Sequence, residues 1–139
     1  MNKALRSAKI TLRVPFHDVD SMRICWHGNY YKYFEMARTE LLRPLKMDLS
    51  DTLLEDIVLP VIRSQCKYIS PLLYDQKVEV LAQITDAEYK LFVNYVIRDE
   101  ATGAVLAKGS TEHVAVNSKT GVTCMPMPQE FLRRICGEG

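Results

Sequence analysis

The sequence predicts a two-layer α+β fold: one long amphipathic helix against an antiparallel sheet of about five strands. Three observations predict it. Residues 9–16 alternate apolar and polar, a helical stripe begins at Tyr30, and from Leu59 onward the chain reads as alternating segments separated by turn signals.

In the first segment Ile10, Leu12, Val14 and Phe16 share one face, the two-residue period of a half-buried strand. Pro15 points outward there, which suits an edge position or the strand's last pairing. His17–Gly28 has no clear period. Then Tyr30, Tyr33, Phe34, Ala37, Leu41 and Leu45 recur at helical spacing and predict one helix of about four turns, at about 3.6 residues per turn. Asn29 stands where an N-cap belongs, and Pro44 breaks the pattern near the far end. After a polar connection (Met47–Asp56), Leu59–Ser70, Lys77–Asp86, Glu88–Glu100 and Ala104–Asn117 read as strands. Ala101-Thr102-Gly103 is the hairpin turn between the last two, and Gln129–Cys136 is a short closing helix. No repeat, low-complexity tract or linker divides the chain, so residues 1–139 are expected to form a single domain. A lone helix covers only one face of a sheet, and the apolar area left over favours a two-fold homodimer.

Composition narrows the functional classes. Apolar residues make up 47% and charged residues 25%, the balance of a folded rather than a disordered chain. Eighteen Lys+Arg against 17 Asp+Glu leave a net charge of +1, which argues against a broad nucleic-acid footprint. The longest apolar runs, such as Ile57–Ile62, fall far short of the ~20 residues a membrane span needs. No apolar core follows Met1–Arg6, so no signal peptide is expected. Cys25, Cys66, Cys124 and Cys136 form no Cys-x-x-Cys pair and no zinc spacing with histidine; they read as reduced thiols of a cytoplasmic protein.

Polar residues able to do chemistry concentrate in His17–Tyr30, between the first strand and the long helix. A helix N-terminus presents unpaired N–H groups and partial positive charge. A carboxylate in the preceding loop is held ionised there, and the same N–H groups can polarise a carbonyl as an oxyanion hole does. An ester or thioester is the natural target.

Asp18-x-Asp20, the run Trp26-His27-Gly28-Asn29-Tyr30, and Phe34-Glu35-x-Ala37-Arg38-Thr39-Glu40-x-Leu42-Arg43 together resemble the hot-dog-fold thioesterases. The nearest branch is that of 4-hydroxybenzoyl-CoA thioesterase and the Tol-Pal-associated acyl-CoA thioesterases; Tyr68-x-x-Pro71-x-x-x-Asp75 extends the likeness. The resemblance implies a hot-dog fold, a homodimer or dimer of dimers with active sites at the subunit interface, and hydrolysis of acyl-CoA or acyl-carrier-protein thioesters. It implies no metal and no organic cofactor, coenzyme A entering only as part of the substrate. Asp20 takes the catalytic carboxylate position, as nucleophile or general base. The amides around His27 and Gly28 would polarise the carbonyl. The alternative is a non-catalytic acyl-thioester-binding or assembly module of the same fold.

Each candidate has a plainer reading. Asp20 can simply shape a turn, and Asp18 is expected to fix the loop by bonding its N–H groups. His27 matches the Tol-Pal-associated branch and either assists catalysis or packs; His17 and His113 are expected to be structural or exposed. Asn29 as N-cap would orient the amides beside the substrate. Glu35 borders the acyl pocket by resemblance and is a rival base, although an ion pair with Arg38 or Lys32 accounts for it equally. Arg23 either meets a CoA phosphate or is solvated. Cys25 lacks a base and is expected to pack. A cluster of Arg63, Lys67, Lys90 and Lys108 on one surface would favour a phosphorylated thiol carrier.

Overall fold

A computed structural model describes residues 4–137. The single-domain expectation therefore extends at both ends beyond the described residues, as does the first half of the Met1–Arg6 segment.

Strand β1 (Arg6–Arg13) leads into the loop and then helix α1 (Asn29–Leu42). A short helix α2 (Leu49–Thr52) and strand β2 (Ile57–Val58) follow. Then come β3 (Val61–Tyr68), β4 (Lys77–Asp86), β5 (Leu91–Asp99), β6 (Val105–His113), β7 (Ala115–Asn117), β8 (Thr123–Cys124) and α3 (Gln129–Cys136). The main sheet is antiparallel in the order β1-β4-β5-β6-β3, and β2-β7-β8 form a small second sheet.

Alternation does what the sequence leads one to expect in β4: Val78, Val80, Ala82 and Ile84 are all buried. Their face meets Tyr33, Phe34, Ala37 and Leu41 of α1. Phe34 stacks flat on Tyr95 at 4.5 Å. Tyr95 is paired with Gly109 on β6, and a Cβ at Gly109 would lie 2.4 Å from the Phe34 ring. Glycine is what lets that stack sit on the sheet. Pro44 ends α1 as expected, converting its last turn to a 3₁₀ segment over Arg43–Leu45. The closing helix keeps its expected bounds, docks Phe131 and Ile135, and receives Arg6 Nε on the Ile135 carbonyl at 2.7 Å.

Four boundaries differ from expectation. β1 is displaced toward the N-terminus, and Phe16 is 75% exposed instead of facing the core. Pro15 has no N–H to continue the ladder, so the last contacts are Val14 N–H to Gln76 O (3.0 Å) and Asp75 N–H to Val14 O (2.8 Å). The expected strand over 104–117 is broken at Val114, and its second part belongs to the small sheet. β3 and β5 are each shorter than expected. The polar connection holds α2, which burial of Thr52 ties to the body.

Candidate active site

The loop after β1 is a small hairpin. Val19 bridges Cys25, Asp20 N–H donates to Ile24 O at 2.9 Å, and Arg23 N–H donates to Asp20 O at 2.9 Å. The turn closes because Arg23 takes the left-handed conformation (φ 66°) and Asp20 Oδ1 accepts the Met22 N–H at 2.8 Å. A second segment pins it: Cys25 N–H reaches Leu72 O at 2.7 Å and Ile24 bridges Leu73. Asp20 is exposed, and its other carboxylate oxygen has no protein partner among the described residues.

Asp18 has the opposite fate. Its side chain is 3% exposed and accepts from Lys32 Nζ and from Tyr33 Oη at 2.6 Å. Burial pushes its carboxyl up, but the bonds from Lys32 and Tyr33 and the charges of Lys32 and His17 outweigh this and hold it below its ordinary value. The expected bonds from its carboxylate to loop N–H groups are not made. Its backbone carbonyl ties the loop instead, accepting Trp26 N–H at 2.9 Å and Asn29 Nδ2 at 2.9 Å.

That last bond corrects the reading of Asn29. Gly28 is the N-cap, with no side-chain cap bond, and Asn29 is the first helical residue. Its amide is committed to the Asp18 carbonyl. The loop and the helix start are thus locked to each other, and the backbone N–H groups of His27 and Gly28 donate to no protein acceptor among the described residues. A Cβ at Gly28 would fall 2.2 Å from the exposed Trp26 ring, so a side chain there would make that ring swing aside.

Asp20, His27, Ile24, Cys25, Tyr30 and Tyr68 line one cleft of about 360 Å³ together with Ile69–Pro71. His27 is exposed and meets Tyr68 edge-on at 6.1 Å. Tyr68 also packs on Tyr30 (4.8 Å) and donates to the His27 carbonyl at 3.1 Å; burial pushes its hydroxyl up to about 12. Tyr68 is the cleft neighbour that residue-by-residue reading passed over, although the Tyr68-x-x-Pro71 pattern marked it. Cys25 is buried beside Tyr33, and burial raises its thiol, which makes it a poor nucleophile. His17 is exposed, 3.6 Å from Asp18.

Glu35 is not in this cleft. It lines two cavities farther along α1, of about 430 Å³ and 200 Å³, both of which also include Arg38. Neither expected ion pair forms: Lys32 goes to Asp18, and Arg38 Nη1 donates to the Tyr95 hydroxyl at 2.9 Å. A directional chain continues behind it. Burial, together with the Arg38 charge, lowers the His113 imidazole to about 4 despite its bond to Leu59, so it is neutral. Because Leu59 O can only accept (3.0 Å), Nδ1 carries the proton and Nε2 accepts from Thr111 (2.9 Å). Thr111 in turn accepts from Tyr95 at 2.7 Å. Every proton is assigned, and His113 is structural.

Of the basic residues, Lys67 and Lys108 are directly opposite on β3 and β6, while Arg63 and Lys90 both lie 3.7 Å from Glu112. Arg23 is exposed and has no acidic partner among the described residues. No group of three or more His, Cys, Asp or Glu side chains able to hold a metal occurs among the described residues, and no helix there is long and apolar enough to cross a membrane.

A single long helix packed on one antiparallel sheet, with a carboxylate loop at the helix start, defines a hot-dog fold of the thioesterase kind. Its overall shape superposes on Slr0204, a 1,4-dihydroxy-2-naphthoyl-CoA thioesterase from Synechocystis, with a TM-score of 0.85 at 19% identity, covering 95% of this chain and 97% of that one. The family description "thioesterase-like superfamily" matches residues 14–135, and the chain belongs to that family. An Aquifex aeolicus (strain VF5) protein is 30% identical over 121 residues, covering 86% of this chain and 91% of that one. The acyl-CoA thioester hydrolase YbgC of Escherichia coli O157:H7 is 28% identical over 74 residues, covering 53% of this chain and 55% of that one. The expected enzyme class, thioester hydrolase, agrees with that membership.

Proposed function

We propose that this chain hydrolyses acyl-CoA or acyl-carrier thioesters to free acid and thiol, in the manner of the 4-hydroxybenzoyl-CoA and Tol-Pal-associated branch. It works as a single-domain cytoplasmic enzyme and a homodimer, with no metal or organic cofactor. The observation that carries the reading is the free oxygen of Asp20 on the wall of a cleft it shares with His27, at a helix start where the His27 and Gly28 amides have no protein acceptor among the described residues. In this reading the acyl carbonyl oxygen accepts from the His27 and Gly28 N–H groups and its carbon faces Asp20. Asp20 then attacks the carbon, expelling thiolate and leaving a mixed anhydride for water to cleave, or takes the proton of a water that attacks directly. His27, exposed at the cleft rim, donates to the carbonyl or orients the water. Arg23 and the opposed Lys67 and Lys108 favour a phosphorylated carrier on the thiol side.

The test is a panel of short, medium, long and aromatic CoA thioesters followed by thioester absorbance. Asp20→Asn is expected to lose at least about a hundredfold in turnover. Equal turnover by both proteins would remove Asp20 from the chemistry. Saturable binding without cleavage of any thioester would leave a binding module in place of an enzyme.

A further inference from the structure

Strand β3 ends against the start of α1, and Tyr68 joins the two. Its backbone is fixed to the main sheet: Tyr68 pairs with Ala107 on β6, and the N–H groups of Ile69 and Ser70 both donate to Leu106 O at 3.0 Å. From that anchor its hydroxyl donates to the His27 carbonyl at 3.1 Å, and its ring meets Tyr30 at 4.8 Å and His27 at 6.1 Å. Tyr30 is held in turn, its hydroxyl accepting Leu72 N–H at 3.2 Å.

The His27–Gly28 peptide depends on this hold. Gly28 precedes the helix with no side-chain cap and no Cβ, so little else opposes rotation of the peptide before it. The His27 carbonyl accepts from Tyr30 N–H at 3.4 Å, long for a backbone bond, which leaves the 3.1 Å bond from Tyr68 as the firmer restraint. A trans peptide is planar, so fixing the carbonyl also fixes the Gly28 N–H, which points the opposite way. The same bond polarises the peptide and makes that N–H a stronger donor. Burial pushes the Tyr68 phenol up to about 12, so it keeps its proton and donates constantly near neutral pH. The exposed His27 ring rests against Trp26 at 5.1 Å as well as against Tyr68.

We infer that Tyr68 is a positioning residue for the thioester hydrolysis proposed above, its hydroxyl setting the Gly28 amide and its ring the His27 imidazole. The inference rests on that reading, in which the Gly28 amide and His27 act on the acyl carbonyl, and it adds the residue that aims them. Tyr68 acts through these two neighbours, because its own proton is already given to the His27 carbonyl. Its seat on a sheet strand, outside the loop it restrains, makes the aim rigid.

Tyr68→Phe tests it, keeping the ring contacts and removing only the hydroxyl. Tyr89→Phe, at an exposed tyrosine between β4 and β5, is the control. With the CoA thioester that wild type cleaves best, Tyr68→Phe should lower kcat about tenfold and leave KM within about threefold. That loss is smaller than the hundredfold or more expected on deleting an oxyanion donor outright, since the donor remains and only its aim is loosened. In a nitrogen–proton correlation spectrum of the full chain, the Gly28 amide should move in Tyr68→Phe and stay in place in Tyr89→Phe. An unchanged kcat, an unmoved Gly28 resonance, or a fall in kcat accompanied by a lowered Tm and a raised KM overturns the inference. Hydrolysis by wild type with kcat untouched in Tyr68→Phe would sink only the inference. A wild type that cleaves no thioester, with Gly28 still moved by Tyr68→Phe, would sink the enzyme reading and leave Tyr68 as the residue that sets the amide.

Discussion

Lowering the pH from 7 to 5 is expected to cost this fold about 2 kcal/mol through one side chain, His113. The side chain is 2% exposed, its Nδ1–H is spent on Leu59 O, and its Nε2 is already accepting from Thr111, so a proton added to it would force the Thr111 hydroxyl to turn away and lose its acceptor. Burial holds its folded value at about 4, against an ordinary 6.5. A histidine depressed in this way binds protons more readily unfolded than folded. The contribution is therefore complete above 6.5 and is lost as pH falls from there toward 4. Linkage puts the loss at about 2 kcal/mol at pH 5 and about 3 kcal/mol at pH 4. Urea unfolding of wild type and His113→Gln at pH 7 and pH 5, at one protein concentration, isolates the effect. Glutamine can donate to Leu59 and accept from Thr111 without titrating. The stability gap between the two proteins should shift by about 2 kcal/mol in favour of the variant at pH 5. Parallel curves with no shift would mean that His113 is reached by solvent or proton, and the directional chain to Arg38 would have to be abandoned.

Asp18 titrates in a separate window. Its folded value lies below the ordinary 3.8, so its contribution is present above that pH and disappears as pH falls below it; acid unfolding of wild type, followed by circular dichroism, should show this late loss. Asp18→Ala should lose it and should cost about 2 kcal/mol at pH 7, chiefly because the buried Tyr33 hydroxyl is left without its acceptor. Lys32 is 42% exposed, so its share of that cost is small. A variant within about 0.5 kcal/mol of wild type would contradict this account. Gly109→Ala should lower stability by about 1–3 kcal/mol, because the new Cβ meets Phe34 at 2.4 Å and the Gln65 carbonyl at 2.8 Å. An unchanged melting temperature would mean that the Phe34–Tyr95 stack shifts freely.

Periodicity alone determined the types and order of the major elements. Val78–Ile84 alternate because a strand exposes successive residues to opposite faces, and Tyr30–Leu41 repeat because a helix turns about 100° per residue. Both rules are local, so a reader of residues can apply them. The candidate site loop was legible only as a composite pattern around Asp20, His27 and Gly28. Which aspartate would be buried was not legible. Asp18 goes inside because Lys32 and Tyr33, one helical turn into α1, arrive to satisfy it; Asp20, two residues on, stays open because the hairpin turns it toward the cleft. Asn29 looked like a cap until the Asp18 carbonyl came within its reach. His113 became a neutral core residue because Leu59, far away in sequence, presents a carbonyl to it. Each of these outcomes depends on a partner delivered by the fold. A charge or hydrogen bond is decided by what lies within a few ångströms in space, and only the tertiary structure sets that distance.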